Sequence, residues 1–311
     1  MREQRPPRRI DALRHAGSLA AYRAGWRATR KVPGPVARAG FACIADVAFR
    51  AGGRGVRRLR SNLAQVRPDL DPVGLTALTA DAMRSYMRYW CESFRLSDYT
   101  PPQIVAAVHA TGEHHYRDGI VAGRGVVVAL PHMANWDLAG AWGAVTTAGG
   151  VLTVAERLEP AELFDEFVAH RARIGIDVIA LTGGDDPFPQ LADRLRTGGV
   201  VALVADRDFS GRGVAVNFFG RATTMPAGPA ALARRTGARL LAVTMHYDGP
   251  VMQLRFSEPI TTDRAGSAAV VHLTQQLADQ FATEIRAHPA DWHMLQRIWP
   301  EQPNPTAATG P

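Results

Sequence analysis

The stretch Val126-Val-Val-Ala-Leu-Pro-His-Met-Ala-Asn-Trp-Asp137 decides how this chain reads. Its first five residues are all apolar and begin with three β-branched valines, follow a glycine, and are too few for a helix, so they predict a buried parallel strand. Pro131 ends the strand. Asn135 carries the side chain of a helix N-cap, and Asp137 falls in the first helical turn, where the positive end of the macrodipole favours a carboxylate. A strand, a rim and a helix in that order form the unit of an open α/β sheet, whose reactive side chains stand at the carboxyl edge of the strands.

The same texture continues on both sides. Val200–Val204 is a second short buried strand, with weaker strands near residues 152–155 and 178–181 and helical segments near 136–147, 161–174 and 188–197. Beyond Gly213 the strand candidates at 214–218, 240–245 and 252–256 lie closer together, before a last helix at 267–287. The fold class expected is therefore α/β, a mixed and largely parallel central sheet flanked by helices. Upstream, residues 71–96 read as one long helix closed by Pro101 and Pro102. Before it come a basic tail at 1–9 and a helix at 10–30 with Leu19, Tyr22 and Trp26 on one stripe. Two further helices follow, one through Phe41, Ile44 and Val47, the other carrying Arg57, Arg58 and Arg60. This divides the chain into a basic helical extension, 1–103, and an α/β core, 104–311, packed as one unit.

Composition limits the function. The chain has 311 residues, 46% hydrophobic and 21% charged, which is globular and excludes a disordered or fibrous protein. Two cysteines, Cys43 and Cys91, are too few for a disulfide framework or a four-thiolate zinc site. Of the net charge of +7, residues 1–67 carry +13 and the remaining 244 carry −6. Such an arm suits a phosphate-rich surface, either an anionic membrane or a nucleic acid. No 18-residue apolar run occurs, so any membrane contact is expected to be peripheral. His109, His114 and His115 have no companion ligands at metal spacing, and no metal is expected. Gly-x-Ser-x-Gly, Gly-x-Gly-x-x-Gly and a Walker loop are absent, which removes the serine-hydrolase elbow and leaves no resident cofactor indicated.

His132 and Asp137 are the candidate catalytic pair. On a continuous helix five residues would turn the two side chains about 140° apart, so they meet only if His132 still lies in the loop. Held by Asp137 at Nδ1, the imidazole would offer Nε2 as a general base toward a hydroxyl.

His-x4-Asp at a strand end, then Phe218-Phe-Gly-Arg221 and Gly228-Pro-Ala-Ala-Leu-Ala233, resembles the lysophospholipid and lipid A late acyltransferase superfamily. The Arg-rich start, Gly53-Arg-Gly-Val-Arg-Arg-Leu-Arg-Ser-Asn-Leu63, Tyr89-Trp-Cys-Glu-Ser-Phe-Arg95, Val204-Ala-Asp-Arg-Asp208 and Asp291-Trp-His-Met-Leu-Gln296 resemble its actinobacterial branch, the phosphatidylinositol mannoside acyltransferases. The likeness runs from about residue 10 to residue 300. It implies transfer of a long-chain, palmitoyl-like group from acyl-CoA to a mannose hydroxyl of a membrane glycolipid, on the cytoplasmic face of the plasma membrane. Acyl-CoA would be a co-substrate, with His132 as base and Asp137 steadying the imidazolium. In place of the Phe-Pro-Glu-Gly-Thr type of block of glycerolipid acyltransferases the chain has Phe218-Phe-Gly-Arg, which favours a glycolipid acceptor.

Further residues are candidates by their place at the rim. Glu156 and Arg157 are expected either to bind the acceptor headgroup or to be surface charge at a helix entry. Arg171 and Arg173 end a helix, and the resemblance places one of them in the site. Asp206, with Arg207 and Asp208, follows the buried strand Val200–Val204 and is expected to bind the polar headgroup. Phe218, Phe219 and Met225 are candidates for an acyl groove, with plain core as the alternative. A thioesterase using the same base on water, and a nucleic-acid-binding protein using the basic arm, remain as other readings of the residues.

Overall fold

A computed structural model describes residues 25–147, 149–157, 161–209 and 211–299. The basic tail and the stripe residues Leu19 and Tyr22 lie outside the described residues. Among the described residues the long helices ahead of the sheet are α1 (Gly34–Ala51), α2 (Arg54–Val66) and α3 (Pro72–Leu96), the last capped by the Asp71 side chain, which accepts from Gly74 N at 2.7 Å. Ala45, Leu59, Leu63, Ala82 and Met83 form a small apolar core among these three helices. The face of α1 carrying Ile44 and Val47 points outward, both residues being more than half exposed.

The elements then alternate: α4 (Pro101–Ala106), β1 (Val108–Thr111), α5 (Glu113–Val121), β2 (Val126–Leu130), α6 (Trp136–Thr146), β3 (Val151–Ala155), α7 (Ala161–Arg173), β4 (Ile176–Ala180), α8 (Phe188–Arg196) and β5 (Val200–Val204). A hairpin, β6 (Val214–Phe218) and β7 (Arg221–Met225), is followed by α9 (Gly228–Thr236), β8 (Arg239–Asp248), β9 (Val251–Phe256) and α10 (Gly266–Ala287). The seven-stranded sheet runs β1-β9-β8-β2-β5-β3-β4. Its pairs are parallel except β8 with β9, so the sheet is mixed and largely parallel, as the sequence predicts. All five residues of β2 are buried, which is why the strand reads as an uninterrupted apolar run.

Besides α4, α5, β7 and α9, which the sequence reading did not name, two strands depart from expectation. Residues 214–218 do not join the central sheet but pair antiparallel with β7, turning through Phe219 and Gly220, both at positive φ (53° and 77°). Two successive left-handed residues match the twist of a two-residue hairpin loop. The short edge strand β1, only four residues long, carries too little apolar pattern to show in the sequence.

Gly125 sets the entry to β2. Its φ is +70°, and a Cβ there would stand 2.4 Å from the Leu195 carbonyl oxygen. Gly125→Ala is expected to cost about 2–4 kcal/mol, combining left-handed strain with a backbone clash, and a shifted urea midpoint at unchanged m-value checks it.

Candidate active site

Residues 131–135 form the loop between β2 and α6, and His132 stands in that loop as predicted. The Asn135 side chain caps α6 by accepting from Leu138 N at 2.9 Å. Ala134 holds φ at +42°, a left-handed conformation unusual for a residue with a Cβ, so the loop is bent against its own preference.

The partner of His132 is not Asp137. His132 Nδ1 lies 2.6 Å from Asp206 Oδ1, and the His132 backbone N–H donates to Asp206 Oδ2 at 3.0 Å. The Trp292 indole N–H donates to that same Oδ2 at 2.8 Å. Asp206 is wholly buried. Burial alone would raise its carboxyl, but the charge and hydrogen bond of His132, then the Trp292 and backbone donors, outweigh it and hold the group below the usual carboxylate range. With Nδ1 engaged, the Nε2 edge of His132 is the one left for substrate, and the side chain stays partly exposed.

The reason lies in strand pairing. β2 and β5 are parallel neighbours in the register Val126↔Val200 to Leu130↔Val204, a constant separation of 74 residues. His132 and Asp206, also 74 apart, leave the two strands at the same height, two residues past the last pair. Asp137 instead points into the protein from the first turn of α6. It accepts from Arg171 Nε at 2.9 Å and from the Tyr89 hydroxyl at 3.0 Å, and is itself buried. Burial works against the Arg171 charge, yet Asp137 and Tyr89 more than compensate and keep the guanidinium firmly protonated. Burial, then the Asp137 charge, pushes the Tyr89 hydroxyl well up, so it remains a neutral donor. Of the two arginines left open by the sequence, Arg171 reaches inward and Arg173 is exposed.

His132 lines a cavity of about 870 Å3 whose wall is mostly apolar. Phe164, Phe167, Val178, Phe188, Leu191 and Leu203 form its apolar part; Tyr89, Trp136, Glu156, Arg171, Asp208 and Arg212 add polar or aromatic groups. The expected groove residues Phe218, Phe219 and Met225 are not in it. They are buried, as the alternative reading of plain core had it, with Phe218 and Phe219 of the β6–β7 hairpin packed on Trp292 and Trp299. Asp208 accepts from Gly211 N and Gly213 N at 3.2 and 2.7 Å, which shapes the rim loop. Arg207 stacks its guanidinium 4.1 Å above Phe209. Burial lowers its pKa while the opposing charge of Glu156, close enough to be felt, raises it.

The extension takes part in this site. From α3, Tyr89 reaches Asp137, Glu92 accepts from Asn135 Nδ2 at 3.1 Å, and Tyr89 stacks on Trp136 with ring centroids 3.9 Å apart. Tyr89 and Glu92 lie in the segment Tyr89–Arg95 that carries the resemblance, but spacing alone gave them no role, because a long-range contact leaves no local pattern. Among the described residues no group of three or more His, Cys, Asp or Glu has the geometry to hold a metal ion, and no helix is long and apolar enough to cross a membrane.

A histidine held by a buried carboxylate in the wall of a mostly apolar cavity suits proton removal from a hydroxyl beside a lipid chain. The model of the bacterial lipid A biosynthesis acyltransferases matches residues 7–301. The chain belongs to that family. It is an acyltransferase. It is also 43% identical over 281 residues to the phosphatidylinositol mannoside acyltransferase of Mycolicibacterium smegmatis, spanning 89% of this chain and 90% of that one. To the protein of the same name from Mycobacterium tuberculosis it is 41% identical over 282 residues, spanning 90% and 87%. The actinobacterial resemblance drawn from the motifs and the enzymatic class are thus shown. In this acyltransferase the histidine of the His-x4-Asp loop meets a carboxylate that follows another strand, β5.

Proposed function

We propose that this acyltransferase moves a long acyl chain from acyl-CoA to a mannose hydroxyl of a phosphatidylinositol mannoside, with His132 as general base and Asp206 holding it. The observation that carries the reading is His132 in the wall of the large, mostly apolar cavity, held from behind by the buried Asp206. His132 Nε2 takes the proton of the acceptor hydroxyl as its oxygen attacks the thioester carbonyl carbon. The carbon–sulfur bond then breaks, and the thiolate recovers the proton from Nε2. Asp206 fixes the tautomer with Nδ1–H and stabilises the imidazolium formed midway. No covalent intermediate on the protein is needed.

The cavity supports the substrate reading. Its apolar wall suits the acyl chain, and Glu156, Asp208 and Arg212 in the same lining suit hydroxyls or phosphate of a headgroup. Asp137 and Arg171 serve as the brace between α6 and α7 that keeps the loop in place. The names of the two mycobacterial relatives support the choice of inositol mannolipid acceptor. The exposed Ile44 and Val47 of α1, with exposed Arg54 and Arg57 on the adjoining α2, support seating on the anionic inner leaflet without a spanning helix.

The test is incubation of the enzyme with palmitoyl-CoA and purified inositol mannolipid, with mass spectrometry of the lipid. The expected product is the acceptor heavier by one acyl group, formed one-for-one with free CoA. CoA release at the same rate without acceptor would instead make the enzyme a thioesterase.

A further inference from the structure

We infer that Trp292, in the segment Asp291–His293, is a positioning residue of the reaction, which sets the orientation and basicity of the His132–Asp206 pair through its indole N–H. The inference rests on His132 being the base.

Each residue of the segment bonds to the catalytic loop or to its carboxylate. The Asp291 carbonyl accepts from Ala134 N at 2.9 Å, and His293 N donates to the His132 carbonyl at 2.8 Å. Between these bonds Met133 and Trp292 form an isolated antiparallel bridge. The loop after β2 is therefore paired as a two-stranded ribbon to a segment some 160 residues later. That pairing holds Ala134 at its unfavourable φ. The Trp292 indole N–H then donates to Asp206 Oδ2, the oxygen that also accepts from His132 N, leaving Oδ1 alone for the imidazole.

The segment is itself fixed from behind. Asp291 accepts from the Ser85 hydroxyl at 2.5 Å and from Tyr247 N at 2.8 Å, and His293 Nε2 lies 2.9 Å from the same Ser85 hydroxyl. Trp292 is completely buried, its ring set among Phe218, Phe219 and Trp299. The Phe-Phe-Gly-Arg hairpin thus contributes to the site indirectly, as part of the socket of the indole. Burial, then the His132 charge, lowers the His293 imidazole to about 3, so it stays neutral behind the loop and adds no charge to compete with Asp206.

The N–H bond has a definite consequence for basicity. A donor on a carboxylate oxygen in a dry site withdraws negative charge from it. Removing that donor leaves Asp206 to be neutralised by His132 alone, which makes the imidazolium easier to form. The acid limb of the pH profile of kcat/KM should then move to higher pH. The carboxylate also loses the bond that fixes its plane, so fewer encounters find Nε2 aligned and kcat falls.

The test uses the full-length enzyme with palmitoyl-CoA and inositol mannolipid as probes. Trp292→Phe removes the N–H and part of the ring. β-(3-Benzothienyl)alanine at position 292 keeps the shape with sulfur in place of N–H. Both are expected to lower kcat about tenfold with KM for either substrate within about twofold, as loss of a hydrogen bond to a charged group implies. Both should raise the acid limb by up to about one unit, the shift equivalent to a tenfold change. Wild-type kcat and pH profile in the benzothienyl protein would overturn the inference, showing that only the ring matters. Should neither variant fold, the wild-type Trp292 indole N–H resonance decides. It should move as His132 titrates and stop moving in His132→Gln; a resonance flat through that titration would overturn the inference. Normal product from His132→Ala would sink the general-base reading itself. Lost product in His132→Ala beside an unaltered benzothienyl protein would sink only the role of Trp292.

Discussion

Asp206→Asn is expected to lower kcat about 10^3- to 10^4-fold while leaving the melting temperature near that of the parent. The size follows from which atom of the new amide faces the imidazole. Oδ2 of Asp206 accepts two hydrogen bonds, from His132 N and Trp292 Nε1. Neither donor can rotate away, so the asparagine must present its carbonyl oxygen to them. Its NH2 group then stands where Oδ1 was, 2.6 Å from His132 Nδ1, and can only donate. Nδ1 becomes an acceptor, the ring proton moves to Nε2, and the nitrogen facing the cavity has no lone pair with which to take a proton. The fold is spared because shape and hydrogen-bond number are kept. Steady-state product formation by mass spectrometry, with a thermal melt alongside, checks both halves. A variant within tenfold of the parent would remove Asp206 from the mechanism.

Asp137→Ala is expected to fail in the opposite way, by destabilising the protein about 3–5 kcal/mol. Arg171 loses its carboxylate and Tyr89 its acceptor, both in buried positions. A guanidinium cannot shed its charge to relieve this. Replacing both partners by apolar side chains, Asp137→Leu with Arg171→Met, is expected to recover most of the loss, since a dry apolar pair has no unpaired charge to hold. Urea unfolding of the two variants and the parent separates the cases. Equal instability of the single and double variants would show that Asp137 matters for something other than countering Arg171. Together the two experiments distinguish the carboxylate of the His-x4-Asp pattern, which braces α6 to α7, from the one that works on the histidine.

Much of the molecule was legible in one dimension because its signals are local. The five buried residues of β2, the proline that stops it, the Asn135 cap and Asp137 in the first turn of α6 are all properties of neighbours in sequence, and the structure has each where the pattern put it. The alternation of strands and helices fixed the class of sheet for the same reason. Position at a strand end marked His132, and Asp206 was marked too, though for the headgroup rather than for the imidazole. The hairpin stayed ambiguous, because Phe218, Phe219 and Met225 have the composition of an acyl groove and of a core alike, and only their burial, with the two phenylalanines packed on Trp292 and Trp299, decides for core.

The residue types along the chain, by themselves, determined an α/β protein with a histidine at a strand rim, a basic leading arm and no long apolar run. Which carboxylate meets that histidine was decided only in three dimensions. The choice depends on β2 lying beside β5 in one register, on a bridge from Trp292 and on a buried arginine claiming Asp137. Those are contacts between residues 34 to about 160 positions apart, and side chains so far removed along a chain leave no periodicity from which their meeting can be read.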